Sequence, residues 1–321
     1  MTAARVKQIR AIDLFCGAGG SSWGASKAGV EIVAAFDLWD LAGKNHHANF
    51  PAAQFFPGRL EDIALGEVAK EIGKVDLILA SPECTNHSPA RGSRPRNEES
   101  KNTAFQVVRF AKKFKPKWII VENVVSMRNW SRYEEFKNEL TAAKYKIREQ
   151  ILDSSDFGVP QKRRRLFLVC ARKGKPDLVK KHPGRKKHVR SILNFNGKYN
   201  WSPLKVKGRA KATLKRAKLG IDEVGTKTPF LIVYYGSDHA GGWQRLSRPL
   251  RTITTLDRFA LVKPTPDGHV MRMLQVPELQ SAMGMAGMIF EHGTRRERIK
   301  MIGNAVCPPV MQAVIEQLGA Q

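Results

Sequence analysis

Acidic side chains are scarce in this sequence, and their scarcity already narrows the possible partners. The 321 residues include 29 Asp and Glu against 55 Lys and Arg, which gives a formal net charge of +26. The isoelectric point lies near 10.2. This charge favours a polyanionic partner such as nucleic acid.

Cysteines and long apolar runs are also few. The four cysteines, Cys16, Cys84, Cys170 and Cys307, lie far apart and form no CxxC pair, so they predict neither a metal site nor a disulfide framework. No apolar run is long enough to cross a bilayer, and the first residues become charged too soon for a signal peptide. These absences favour a cytoplasmic protein with free thiols and no membrane partner.

Short apolar runs alternate with helical stretches before about residue 172. The expected strands are 10–15, 31–36, 75–80, 118–121 and 165–170, and the expected helices include 103–113 and 133–143. Short, largely apolar strands between helices are typical of buried parallel strands. The pattern predicts a doubly wound α/β sheet, whose ligands bind at the carboxyl ends of its strands.

The positive charge is concentrated in one part of the chain. From Gln161 to Lys218 there are 21 Lys and Arg and a single acid, Asp177. A solvated basic face would not concentrate charge so strongly, so we favour nucleic-acid binding. Residues 174–228 have weak periodicity and are expected to be loop-rich. Residues 229–262 regain strand character, including the run at 252–255, and 299–318 return to a helical pattern after Gly303 and Asn304.

A glycine-rich turn follows the first expected strand. Residues 16–20 read CGAGG, and the second strand ends on the acid Asp37. Glycines allow a ligand to approach the backbone closely, and an acid at this place can bind ribose hydroxyls. Taken alone, the turn could equally be only a tight connection. It lacks the Lys of a phosphate-binding loop, so a nucleoside fits it better than a nucleotide.

A cysteine and a glutamate follow two neighbouring strands. Cys84 lies in a polar loop after the third strand, and Glu122 ends the fourth. A lone cysteine is usually an unreactive, structural residue. A carboxyl group at the same sheet edge favours the alternative, that the cysteine is a nucleophile. Together they suggest covalent addition to an electrophilic ring, with the acid acting on a ring nitrogen.

Six motifs, in this order and spacing, resemble those of the DNA cytosine-C5 methyltransferases. They are DLFCGAGG at 13–20, the Cys84 loop, ENV at 122–124, QKRRR at 161–165, RPLRTI at 248–253 and GNAV at 303–306. Only the segment from about 174 to 245 is unmatched, and it falls where this family keeps its target-recognition region. That segment could also be a disordered basic linker, but its aromatics and glycine turns favour recognition.

The resemblance implies a role for each matched catalytic residue. Cys84 would attack C6 of cytosine, and Glu122 would contact the N3 side of the ring. Arg163 and Arg165 would contact the flipped base and its phosphates. The target base must leave the stack, because C5 and C6 cannot be reached within a duplex.

The resemblance also implies S-adenosyl-L-methionine as cofactor and duplex DNA as partner. Phe15 and the glycine turn would form the cofactor floor, Asp37 would bind the ribose, Asp62 the adenine amine, and Asn304 would lie near the methionine end. The expected cofactor residues are Phe15, Gly17, Gly19, Gly20, Asp37, Leu38, Asp62 and Asn304. The expected DNA contacts are Ser88, Gln161, Arg185, Arg190 and Arg209, with Asn194 and Asn196 as further base-reading candidates.

The sequence departs from the family pattern at two places. Glu83 precedes Cys84 where the family usually has Pro, which adds a carboxylate beside the thiol and favours a raised thiol pKa. Cys307 stands where Pro is common and is expected to be structural. Trp39 could stack on adenine, although Leu38 aligns better with that position.

We therefore expect a Rossmann-like methyltransferase with a smaller, loop-rich target-recognition domain. The catalytic domain would comprise 1–172 and 300–321, the smaller domain 173–299, and DNA would lie between them. A monomer is expected, bacterial or phage-encoded and nucleoid-associated, with a cognate restriction nuclease as a candidate partner. Two alternatives stay open: a tRNA cytosine-C5 methyltransferase, and a DNA-binding relative without turnover, against which the intact Cys84 and Glu122 argue.

Overall fold

A seven-stranded sheet forms the larger layer of the protein. The computed structural model describes residues 8–82, 103–182, 184, 186–196, 199–235 and 241–319. The strands are β1 (Arg10–Leu14), β2 (Glu31–Asp37), β3 (Gln54–Pro57), β4 (Leu77–Ala80), β5 (Trp118–Asn123), β6 (Lys146–Asp153) and β7 (Arg164–Ala171). Their order is β3-β2-β1-β4-β5-β7-β6, and only the pairings of β7 with β5 and β6 are antiparallel.

Helices cover both faces of this sheet. In chain order the helices of the described ranges are α1 (Gly20–Lys27), α2 (Asp40–Asn49), α3 (Leu65–Ile72), α4 (Ala104–Phe114), α5 (Tyr133–Ala142), α6 (Lys211–Val224), α7 (Val276–Ala282), α8 (Arg295–Asn304) and α9 (Pro308–Gly319). Strand residues alternate between two apolar clusters, since neighbouring side chains point to opposite faces. One cluster includes α1, α2 and α9, and the other includes α3, α4 and α5.

A second, antiparallel sheet of five strands follows. It consists of β8 (Ser202–Pro203), β9 (Phe230–Val233), β10 (Trp243–Arg245), β11 (Phe259–Thr265) and β12 (Gly268–Met273), in the order β10-β9-β11-β12-β8. One of its faces joins the core of the large sheet, and the other forms a separate cluster with α6. The domain bounds expected from sequence stay a prediction, because the two sheets share one apolar cluster.

The predicted doubly wound α/β class is confirmed, and the expected strands lie within two residues of β1, β2, β4, β5 and β7. One expectation was wrong, because residues 252–255 are not a strand. The helical pattern expected after Gly303 and Asn304 is confirmed by α9, and the segment 174–228, expected to be loop-rich, also contains the helix α6. Sequence periodicity missed α6 because its buried positions, Thr213, Ala217 and Gly220, are small or polar.

No helix within the described ranges has the length and apolar character needed to cross a membrane. The same ranges contain no group of three or more His, Cys, Asp or Glu side chains placed to hold a metal ion.

Candidate active site

The carboxyl ends of β1, β2, β4 and β5 open into one cavity of about 560 Å³. Parallel strands point their carboxyl ends at the same edge, which is where doubly wound sheets bind ligands. The sequence-predicted residues that line this cavity are Phe15, Gly17, Gly20, Asp37, Leu38, Glu122, Arg163, Arg165 and Asn304. Residues predicted to bind the cofactor and residues predicted to act on the base therefore line the same cavity.

The glycine turn after β1 forms the floor of the cavity. Phe15 adopts a φ of 58°, in the left-handed region that a phenylalanine rarely occupies. A Cβ on Gly20 would lie 2.5 Å from the carbonyl oxygen of Val306, so only glycine allows the turn to approach the GNAV segment. The turn and the C-terminal motif, nearly 300 residues apart in sequence, are in direct contact.

Asp37 fixes the turn and faces the cavity. Its two carboxylate oxygens accept hydrogen bonds from the backbone N–H of Gly17 and of Trp39, each at 2.8 Å. Burial raises the pKa of Asp37, against the backbone hydrogen bonds, which lower it. Each oxygen keeps a second lone pair, so the carboxylate can also accept from ligand hydroxyls.

An apolar wall follows Asp37. Leu38 lines the cavity, and 62% of its surface is exposed, so its apolar side chain is accessible to a ligand. Trp39 also lines the cavity, and the ammonium of Lys300 lies 4.3 Å from the centre of its ring. Both candidates for an adenine contact are thus present at this wall.

The turn at Leu60–Asp62 contributes differently from the prediction. Leu60 and Glu61 line the cavity, whereas Asp62 is exposed and does not line it. Arg59 holds the Glu61 carboxylate at 2.7 Å. The adenine contact of Asp62 stays a prediction, and Glu61 is the carboxylate of this turn that faces the cavity.

A buried polar network supports the turn from behind, and sequence reasoning missed it. Ser22 donates from its hydroxyl to Asp13 at 2.6 Å, and its oxygen lies 3.0 Å from Nε2 of His46. When Asp13 is ionised it takes the hydroxyl hydrogen, and the Ser22 oxygen can then accept from Nε2–H of His46. Burial raises the pKa of Asp13 to about 7 and lowers the pKa of His46 to about 4. In the sequence, Asp13 and Ser22 are only an acid and a serine nine residues apart, a spacing that does not distinguish them from other polar pairs.

Glu122 and Arg165 form an ion pair at the inner end of the cavity. Arg165 Nε lies 3.1 Å from Oε1 of Glu122, and both side chains are largely buried. Burial raises the pKa of Glu122, against Arg165 and Arg163, which lower it. Oε1 makes no hydrogen bond to any described residue, so the carboxyl group keeps hydrogen-bonding capacity for a ligand.

Arg163 is engaged mainly by the protein itself. Its guanidinium donates to the carbonyl oxygens of Ile253, Gly303 and Ala305 at 2.9 to 3.1 Å, and the residue is 3% exposed. It therefore joins three of the sequence motifs at the cavity wall. Its predicted contact with the base stays a prediction, to which this positioning role is added.

Gln161 is fully buried. Its amide accepts from the N–H of Ile253 at 2.9 Å and donates to the carbonyl oxygen of Ala282 at 3.3 Å. Beside it, Lys162 N–H donates to Leu250 at 2.7 Å, so the QKRRR and RPLRTI motifs run side by side. The predicted DNA contact of Gln161 stays a prediction, to which this joining of two motifs is added.

Asn123, next to Glu122, holds the end of the β4 segment. Its amide donates to the carbonyl oxygen of Pro82 at 3.1 Å, and Pro82 lines the cavity with Glu122. Cys84 and Ser88 lie outside the described residues, so their predicted roles stay predictions. The anchor at Asn123 brings the chain entering the Cys84 loop to the Glu122 end of the cavity.

The other three cysteines are buried. Burial raises the pKa of Cys307 to about 11, of Cys170 to about 12, and of Cys16 well above its ordinary value. Because the thiolate is the nucleophile, these thiols are poorly suited to attack a ring at neutral pH. Cys307 packs behind Glu122, with its sulfur 3.8 Å from that of Met283.

Part of the basic segment is clamped beside α7. Arg272 and Glu278, 1% and 3% exposed, form an ion pair at 2.7 Å. Arg272 also donates to the carbonyl oxygen of Asn194 at 2.8 Å, and Glu278 accepts from the N–H of Asn194 at 2.9 Å. Both backbone groups of one residue in segment 189–196 are thereby fixed by a buried charge pair.

The predicted DNA-binding arginines differ in their surroundings. Arg190 is exposed, and its guanidinium lies 5.2 Å from the ring of Phe195. Arg209 is half-buried and donates to Ser202 and to the carbonyl oxygen of Pro203, so it also closes its own turn. Arg185 lies outside the described residues. DNA contact by all three stays a prediction.

Comparison with known proteins gives concordant results. A family model for C-5 cytosine-specific DNA methylase matches residues 9–320. The type II methyltransferase M.XorII of Xanthomonas oryzae pv. oryzae is 33% identical over 175 residues, covering 51% of this chain and 41% of that protein. M.HgiDI of Herpetosiphon aurantiacus is 33% identical over 169 residues, covering 52% of this chain and 53% of that protein. The chain spans about half the length of the curated relatives it matches.

Solved structures show the same fold. A putative DNA modification methyltransferase encoded in an E. coli prophage has a TM-score of 0.70 at 18% identity, covering 98% of this chain and 99% of that one. A Spodoptera frugiperda DNMT2 variant has a TM-score of 0.71 at 18% identity, covering 97% of this chain and 100% of that one. At these identities the likeness concerns the fold alone.

Proposed function

The chain belongs to the C-5 cytosine-specific DNA methylase family, and from that premise we propose that it methylates C5 of a flipped-out cytosine in duplex DNA. The observation that carries the proposal is the shared cavity, which joins the Asp37 end to the Glu122–Arg165 pair. A methyl donor and a methyl acceptor must meet within van der Waals reach, and one continuous space allows this. The type II names of the curated relatives support a role in DNA modification.

The cavity residues fit S-adenosyl-L-methionine. Asp37 offers acceptor lone pairs suited to ribose hydroxyls, and Phe15 and Leu38 offer apolar surface suited to adenine. When bound, the cofactor supplies the methyl group that C5 receives. Asn304 lines the same cavity and is exposed, which suits a contact at the methionine end.

The protein's own residues would act on the base in a fixed order. The Cys84 thiolate adds to C6, and Glu122 hydrogen bonds at N3, which draws electron density away from the ring and favours the addition. After C5 is methylated, a base removes its proton, the C5–C6 double bond re-forms, and the thiolate leaves. Arg165, whose Nε lies 3.1 Å from Oε1 of Glu122, would hold that carboxyl group against the base.

The substrate class is tested with tritiated cofactor on genomic DNA and on total tRNA, side by side. Label in DNA only is expected. Label in tRNA only would replace the proposed substrate by a loop cytosine of RNA, with the fold and the catalytic residues unchanged. Bisulfite sequencing of DNA from expressing cells then gives the methylated sequence.

Substitutions in the cofactor pocket should weaken cofactor binding selectively. Asp37→Ala and Phe15→Ala should each weaken binding of S-adenosylhomocysteine by roughly tenfold or more, since one removes a charged acceptor and the other an apolar floor. Isothermal titration calorimetry measures this. Unchanged affinity in both variants would place the pocket elsewhere. Asp62→Ala and Glu61→Ala form a matched pair that tells which carboxylate of the turn reaches adenine.

Loss of the buried Glu278 charge should loosen DNA recognition. In Glu278→Gln the buried Arg272 loses its counter-charge, at a cost to stability of about 3–5 kcal/mol, and Asn194 loses a charged acceptor. We expect a lower melting temperature and a wider set of methylated sequences by bisulfite sequencing. Glu135→Gln, which breaks the exposed pair with Arg132, is the control and should change neither. Reduced stability with an unchanged methylated sequence would limit the pair to a structural role.

A further inference from the structure

A dense basic surface lies on α6 and on the turn that leads into it. Between residues 205 and 218 the chain has seven Lys and Arg and no Asp or Glu. Five of them are exposed lysines, which we call the outer basic face: Lys205, Lys207, Lys211, Lys215 and Lys218. The surface is built from side chains along the helix, and it is separate from the cavity at the large sheet.

The alternation of β9 and β11 shows on which side of the small sheet this surface lies. Leu231 and Leu261 belong to the core that the small sheet shares with the large one. Ile232 and Val262, one residue further along each strand, pack with Ala217 of α6 in a separate cluster. Because adjacent strand residues point to opposite faces, α6 covers the face turned away from the large sheet.

The clamped segment 189–196 lies on the other side. Its Val189 is fully buried in the shared core, and Phe195 packs against the same core. The positive charge that the sequence concentrates between 161 and 218 is therefore divided between two regions. One is beside the shared core and α7, and the other is on the outer side of the small sheet.

Helix α6 presents its lysines directly to solvent. Lys211, Lys215 and Lys218 follow the i, i+4, i+7 spacing of one helical face. Thr213, Ala217 and Gly220 repeat the same spacing on the buried face. A Cβ on Gly220 would overlap the ring of Phe230, so the helix packs very closely on β9 and its orientation is fixed.

The charge order on α6 is unfavourable for the helix itself. Lys211 and Lys215 are like charges one turn apart, and like charges at this spacing destabilise a helix. Lys211 and Lys215 lie in the amino-terminal half, whereas Asp222 and Glu223 occupy the last turn, which is the reverse of what the helix dipole favours. Lys218 pairs with Asp222 at 2.7 Å. Interspersed charges of both signs would keep the surface soluble, so solubility alone does not account for clustered lysines. A bound polyanion would turn the repulsion between these lysines into a favourable interaction with the ligand.

We propose that the outer basic face is a second DNA-binding site, which holds the phosphate backbone of duplex DNA away from the cleft that takes the target cytosine. The choice of DNA as the polyanion rests on the proposed function. Lysines on long stems suit phosphate contacts, which carry no sequence information. The site would keep a second DNA segment next to the enzyme and so raise the rate at which target sites are met.

The test compares two variants with the same loss of charge. In the first, the five lysines of the outer basic face are replaced by Gln. In the control, five exposed lysines elsewhere are replaced by Gln: Lys70, Lys113, Lys115, Lys144 and Lys146. Binding of a non-cognate duplex is measured across a salt series, the number of short duplexes bound per chain is measured by analytical ultracentrifugation, and methylation of a short cognate duplex is measured separately.

We expect the native protein and the control to bind two short duplexes and the outer-face variant to bind one. The log–log salt slope of non-cognate binding should become shallower by about 0.9 for each phosphate that the variant no longer neutralises. Methylation of the short duplex should stay within about twofold, because phosphate contacts outside the cleft do not orient the base.

Four results would overturn the proposal. Unchanged stoichiometry and salt slope would show a solvated face, and an equal effect of the control variant would show a general charge effect. A parallel loss of short-duplex methylation would place the face in the catalytic cleft. If the native protein methylates no DNA, the proposed function fails, while stoichiometry and salt slope still decide the second site. Stronger competition by folded RNA than by duplex DNA at this face would also exclude DNA as its ligand.

Discussion

Replacement of Cys84 by Ala should abolish methylation of DNA, whereas the same replacement at Cys170, which is buried and does not line the cavity, should leave it. The reason is chemical: without the thiolate, C6 receives no nucleophile and C5 never gains the electron density needed to accept a methyl group. The loss should exceed the roughly 10²–10⁴-fold typical of a positioned acid or base. Transfer of tritium from labelled cofactor to DNA measures it.

A covalent trap isolates the nucleophile from all other effects of the mutation. In DNA carrying 5-fluorocytosine at the target, C5 has no proton to lose after methylation, so the C6–S bond cannot break by elimination. The native protein should give a complex that survives denaturation, and Cys84→Ala should give none. Cys307→Ala is a matched control, because Cys307 is buried behind Glu122 and burial raises its thiol pKa to about 11. A trapped adduct in Cys84→Ala would show that another residue attacks the ring.

The sequence was most informative where function depends on local order. The strands β1, β2, β4 and β5 are short apolar runs buried on both faces, so hydrophobicity alone revealed them. The residues that end these strands, among them Asp37 and Glu122, line one cavity because parallel strands share an edge. The order of the motifs then predicted which residues would meet.

The sequence was least informative where the structure depends on distant pairing. β3 and β6 lie at the two edges of the large sheet, and their partly exposed residues lack a continuous apolar run. The burial of Gln161 and Arg163 depends on Ile253, about 90 residues away, and nothing in a run of basic residues distinguishes the buried arginine from its exposed neighbours. The sequence also did not predict that the basic charge is divided between two sides of the small sheet, because that division depends on the pairing of distant strands.

Glu122→Gln should slow methyl transfer by roughly 10²–10⁴-fold while cofactor binding is unchanged. The amide keeps the size and position of the carboxyl group, but it cannot transfer a proton to N3. Single-turnover methylation measures the chemical step, and calorimetry with S-adenosylhomocysteine checks the pocket. Glu149→Gln is the control, because that glutamate pairs with Arg128 and Tyr133 away from the cavity. An equal loss in the control would point to general destabilisation.

The pH dependence of the two proteins gives an independent test of the same residue. Burial raises the pKa of Glu122, so at a given pH more of it is protonated than of an exposed glutamate. If the protonated form donates to N3, the contribution of Glu122 to the rate is full below that raised pKa and falls as the pH rises through it, whereas the thiolate fraction of Cys84 rises with pH. The Gln variant has no proton to lose, so its residual rate should lack this alkaline decline. A decline of the same shape in both proteins would assign it to another group, and Glu122 would then act only by holding the base beside Arg165.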